Sequence, residues 1–246
     1  MSRRLEAVVS RIAGLGAGVA LVATLFLGLS VPDTQQQGAT APLIAIHPAL
    51  AWAAYLAFAV TATASALYLW PRTRRLFWDL VAGASAEIGV MFTALTLITG
   101  SIWGRATWGV WWTWDARLTL TALIFALYLG YLALRRVPAA PEVRAGRAAI
   151  AALLAVIAIP INHFAVDWWR TLHQGRSLAR PDPQSQLDPE HLTAMLIGFI
   201  AITLTFVWLL IERYRVEVLE ERLDAIALRR DIDERRSEAA AEAGVE

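Results

Sequence analysis

Cysteine is absent from the 246-residue sequence. That excludes disulfides, thiolate metal sites, thioether attachment of a cofactor and thiol redox chemistry. Any metal or cofactor must be held by His, Met, carboxylate or backbone. Lysine is absent too, so every basic residue is arginine. Charged residues make up only 17% of the chain, against about 25% in an average soluble domain. There is no Ser/His/Asp grouping, no phosphate-binding loop and no internal repeat. ATP hydrolysis, if it is needed, belongs to another chain. Apolar surface takes the place of charge: 57% of residues are hydrophobic, beyond the ~45–50% of soluble domains.

A helix crosses the ~30 Å hydrocarbon core with about 20 apolar residues. Six runs meet that length or come near it, roughly Val8–Val31, Leu43–Trp70, Leu80–Ile102, Leu118–Leu134, Ala148–Ile161 and Leu192–Ile211. The expected fold is an all-α integral membrane protein. The first run lacks a small-x-small cleavage site, so it is expected to stay as a helix. The fifth is short and ends near Pro160, with room to extend toward Phe164. From Glu212 the composition changes to a charged helix carrying the narrow apolar stripe Leu219, Leu223 and Ile226. Its plainer reading is a solvated helix that frays after Arg236, the other a docking element for a cytoplasmic partner. The chain thus divides into a membrane domain, 1–211, and a cytoplasmic tail, 212–246.

Basic residues stay on the cytoplasmic side during insertion. Arg3, Arg4 and Arg11, then Arg72, Arg74 and Arg75, then Arg135, Arg136, Arg144 and Arg147, then Arg213 and Arg215 mark alternate span ends. Both termini are therefore expected inside. The outside loops are 32–42, 103–117 and 162–191, the last rich in turn formers between Pro181 and Pro189.

Five of the eleven Trp residues fall between Trp103 and Trp114. Headgroup-level placement explains the scattered Trp52, Trp70, Trp78 and Trp208, but not five indoles in one short loop. On a helix, Trp108, Trp111, Trp112 and Asp115 would share one face of an amphipathic segment lying on the membrane. Grouped indoles suit a large flat apolar ligand with a polar edge, as in a tetrapyrrole, and Arg105 and Arg117 suit carboxylates at its rim. Trp168 and Trp169 add indoles from the third loop. The only histidines, His47, His163, His173 and His191, all fall at the outer end. Each alone reads as a hydrogen-bonded structural residue. Four on one side beside the Trp loop point further, because two neutral imidazoles can hold a porphyrin iron from both faces. Glu87 lies inside the third span, where an ionisable group is either functional or a polar contact between helices.

Three segments carry a resemblance: Thr99-Gly-Ser-Ile-Trp-Gly104, Trp108-Gly-Val-Trp-Trp-Thr-Trp-Asp-Ala-Arg-Leu-Thr119 and Asp167-Trp-Trp-Arg-Thr-Leu-His-Gln-Gly175. Together they resemble the CcmC family of haem-handling membrane proteins in bacterial cytochrome c maturation, the middle segment (within 103–119) being the family's WWD signature. The resemblance covers most of the membrane portion and weakens beyond about residue 215. It implies that His47 and His173 are the axial ligands of a transiently and non-covalently bound haem b. The loop holds that haem through Trp103, Trp108, Trp111, Trp112, Trp114 and Asp115, with Arg105, Arg117, Trp168 and Trp169 around it. His163 supports this set, and His191 is a cap or surface residue. The implied location is the bacterial inner membrane with a periplasmic site. The implied partners are the CcmA and CcmB transporter subunits, small CcmD and the chaperone CcmE, which captures haem covalently. The resulting expectation is a binding and delivery platform rather than a catalyst with turnover. The alternatives are a complete haem lyase, a transmembrane b-type electron carrier and a permease.

Overall fold

The computed structural model describes residues 3–33, 38–173 and 187–243, which are helical with no strand among them. In chain order they form α1 (Arg3–Ser30), a 3-10 turn (Ala41–Ala45), α2 (His47–Leu69), α3 (Leu76–Trp108), α4 (Ala116–Arg135), α5 (Pro141–Ala155), α6 (Ala158–Trp168) and α7 (Pro189–Ala243). Helices α5 and α6 run on as one crossing, which gives six segments long and apolar enough to span a membrane. The chain is a multi-pass membrane protein. Gln174-Gly175 of the third motif and the turn formers Pro181 to Pro183 lie outside the described residues.

The fifth crossing runs from Pro141 to Trp168, well beyond the run Ala148–Ile161 that hydropathy marks. Its interruption has a local cause. Pro160 has no N–H to give to the carbonyl of Val156, and its ring crowds that same carbonyl. The helix stops at Ala155, turns through Val156 and Ile157, and resumes at Ala158.

Helices α2 and α3 form the centre. Their facing residues are small (Ala53, Ala57 and Thr61 on one, Ala82, Ser85 and Ala86 on the other), and all are buried. Small side chains let backbones approach closely where lipid offers no hydrophobic drive to association. Ser85 Oγ donates to the Ala57 carbonyl across the seam at 2.7 Å, and Thr61 Oγ1 reaches the Ala82 carbonyl at 3.3 Å. Helix α1 packs against α7 and the 3-10 turn, leaving Ile12, Leu15, Val19, Val22 and Phe26 exposed as a lipid-facing stripe.

Helix α7 is continuous for 55 residues, or about 80 Å at ~1.5 Å per residue. It passes Glu212 without a break and stays helical to Ala243 instead of fraying after Arg236, in keeping with the strong helix propensity of its Ala, Glu and Arg residues. Near its start, Gly198 lies directly against the Ala45 carbonyl, where no side chain would fit.

Antiparallel crossings bring the N-termini of α2, α4 and α7 and the C-termini of α3 and α6 to one end, called here the loop end. The other end is locked by ion pairs. Asp79, 3% exposed, takes both Arg135 and Arg144, and Arg144 also holds Glu221. Glu87 pairs with Arg213, which also reaches Glu217 at 3.2 Å. Glu87 is therefore a polar contact between α3 and α7. Arg135 and Arg144, which mark a span end in the sequence, share Asp79 as a partner, a pairing that spacing along the chain does not reveal.

Candidate functional site

At the loop end a cavity of about 470 Å³ opens between α2, α3, α4, α6 and the start of α7. That is within the ~300–1,000 Å³ of small-molecule sites. His47, His163 and His173 line it, with Trp103, Trp108, Trp112 and Arg117. Its inner wall includes Phe58 and Ile124, and Tyr128 stacks on Phe58 with ring centroids 3.6 Å apart.

His47 opens α2, with Pro48 in the first turn, where a missing N–H costs nothing. Its Nδ1 lies 2.9 Å from Thr99 Oγ1. Thr99 already donates its own proton to the Leu95 carbonyl at 2.8 Å, so it can only accept from His47. The Nδ1–H is thereby committed, and Nε2 carries the free lone pair. The ring sits close against α3: a Cβ on Gly100 would lie 2.9 Å from His47 Cε1. Trp103 meets the same ring edge-on at 5.5 Å.

The Trp segment is not the surface helix that its spacing suggests. Helix α3 ends at Trp108, and Gly109 follows at φ +79, a left-handed conformation suited to glycine and typical of helix ends. Residues 110–114 are irregular, and Asp115 then caps α4 by accepting from Leu118 N at 2.9 Å. The four residues expected on one helical face are consequently split. Trp108 and Trp112 line the cavity, whereas Trp111 (59% exposed) and Trp114 (80%) point away from it. Trp168 and Trp169 are also exposed and outside the cavity.

Asp115 does not line the cavity but ties two loops together. Its Oδ2 accepts from Thr171 Oγ1 at 2.7 Å and Leu172 N at 3.2 Å, and Thr171 Oγ1 accepts from His173 N at 2.9 Å. This carboxylate thus holds the segment that brings His173 beside Trp108, ring centroids 6.4 Å apart. Arg105 does not line the cavity, and its guanidinium bonds the Gly109 carbonyl at the end of α3. Arg117 does line the cavity, with one contact to the His163 carbonyl at 3.4 Å. His191 is not a surface residue. It is 5% exposed, lies 3.8 Å from Asp188 and does not line the cavity.

Sequence reasoning missed Tyr55, Thr121 and Asn162, which also line the cavity. Tyr55 is two turns beyond His47 on the same helix, a spacing that could have found it. Among the described residues, three buried polar atoms of the wall have no partner: Trp103 Nε1, Trp112 Nε1 and Asn162 Oδ1. Buried polar groups are almost always satisfied, so this wall is built for something with a polar rim. Among the described residues no group of three His, Cys, Asp or Glu could hold a bare metal ion. Two imidazoles fit instead an iron whose other donors come from a macrocycle.

The family model described as heme exporter protein C matches residues 1–230. The chain belongs to the CcmC family. CcmC-family relatives named heme exporter protein C include that of Bradyrhizobium diazoefficiens, 40% identical over 85% of this chain and 79% of its own length. Those of Haemophilus influenzae and Paracoccus denitrificans are 37% and 33% identical, covering 77% and 87% of this chain and 76% and 88% of theirs.

Proposed function

We propose that this chain handles haem for cytochrome c maturation, holding haem b transiently and non-covalently in the loop-end cavity. One observation carries the reading: His47 has its Nδ1–H committed to Thr99, so its Nε2 is the free base of a cavity that His173 also lines. An outer hydrogen bond of this kind fixes the tautomer and orientation of a metal-bound imidazole. His47 and His173 are the axial ligands in this reading. Trp108 and Trp112 pack on the macrocycle, and Arg117 faces its carboxylates.

The function is delivery. The cavity side faces the periplasm of a bacterial inner membrane, with both termini in the cytoplasm, as the arginine distribution favours. The haem is handed to the chaperone CcmE, with CcmA, CcmB and CcmD as the assembled partners. Trp111, Trp114, Trp168 and Trp169, exposed around the cavity end, are the apolar surface that such a chaperone would meet. Holding one edge of the haem in a fixed orientation is what prepares it for capture. The test is the absorption spectrum of purified protein with haem. Wild type is expected to be six-coordinate, and His47→Ala and His173→Ala each to lose that signature. Unchanged haem content and spectrum in both variants would overturn the ligand assignment.

A further inference from the structure

One wall of the cavity carries a hydrogen-bond chain whose direction can be followed proton by proton. Thr121 Oγ1 donates to the Arg117 carbonyl at 2.8 Å. Its hydroxyl proton is therefore used, and toward Asn162 it can only accept, which it does from Nδ2 at 3.1 Å. This fixes the orientation of the Asn162 amide. The second Nδ2 proton goes to the Tyr55 phenol oxygen at 2.9 Å. Tyr55 is thus an acceptor toward Asn162, and among the described residues its own O–H has no acceptor. Asn162 is 1% exposed, so water does not compete for its bonds.

We infer that Tyr55 is a further ligand-binding residue, whose O–H, oriented by Asn162 and Thr121, donates to a carboxyl group of the bound porphyrin. This rests on the haem reading above. Arg117, whose own carbonyl begins the chain, lines the same cavity and supplies the positive charge. A phenol donor next to a guanidinium suits a carboxylate, and the edge of an unsubstituted ring offers no such acceptor. Tyr55 is a positioning and selectivity residue in this scheme, with no part in iron ligation.

The experiment uses the full-length purified protein and two probes, haem and haem dimethyl ester. Their affinities are measured by titration for wild type, Tyr55→Phe and Asn162→Ala. A hydrogen bond to a charged group implies about a tenfold or greater loss of haem affinity in Tyr55→Phe. The ester should bind that variant within about twofold of wild type, with the six-coordinate spectrum kept. Asn162→Ala, which leaves the phenol unoriented, is expected to lose haem affinity in the same direction by a smaller factor. No loss for haem, or equal loss for both probes, overturns the inference while the haem reading stands. If wild type takes up neither porphyrin, the haem reading falls and takes this one with it.

Discussion

Thr99 cannot both donate to His47 and donate to the Leu95 carbonyl, and the 2.8 Å bond to Leu95 decides which it does. One hydroxyl thereby chooses the tautomer of a ring 52 residues away in sequence. Replacing it with valine keeps the shape and removes the hydroxyl acceptor, leaving the ring only the Thr96 backbone beside it. Thr99→Val is expected to lower haem affinity by about 10- to 100-fold, the usual cost of losing an outer partner of a metal ligand. Titration of the purified variant checks this, and a change under twofold would mean that the ring is held by packing alone. Asp115 shows the same economy in a different form. Its two oxygens serve Leu118 of one helix and Thr171 and Leu172 of a distant loop. Neither partnership is visible from spacing, because both depend on where the chain returns.

At the scale of elements, the spans were legible because hydropathy acts along the chain and needs no tertiary information. The Trp segment has a helical i, i+3, i+4, i+7 spacing, but the stop signal Gly109 and the start signal Asp115 inside it override that periodicity. The break before Pro160 could have been placed from the carbonyl four residues earlier. The contact of α2 with α3 at the site could not, since it depends on Gly100 lying under His47. Gly100→Ala separates two effects. Alanine favours the helix by about 1 kcal/mol over glycine. Its Cβ, however, would sit 2.9 Å from the His47 ring and push it off its place. The expected result is a melting temperature no lower than wild type with a clear loss of bound haem. Normal haem binding would show that the ring has room to give.

Over the whole molecule, the two ends have different tasks. The loop end lines a cavity with buried groups, Trp103 Nε1 and Trp112 Nε1 among them, that have no partner among the described residues, and the opposite end gathers charged side chains into ion pairs. Asp79→Ala tests that division. It leaves Arg135, 9% exposed, and Arg144 without their shared carboxylate. Breaking a buried pair in this way costs about 3–5 kcal/mol. A strongly lowered melting temperature in detergent is expected, with an unchanged haem spectrum in the fraction that stays folded. An altered spectrum with normal stability would tie the ion cluster to the cavity instead.

Helix α7 joins these ends as one rod resting on the contact of Gly198 with the Ala45 carbonyl. The rod is held again further along, where Arg213 pairs with Glu87 and Glu221 with Arg144. Beyond Glu221 it runs on for 22 residues to Ala243, about 33 Å at ~1.5 Å per residue. The ion pairs stand between that stretch and Met195 in the cavity wall, so a load on the tail meets the clamp before it reaches the histidines.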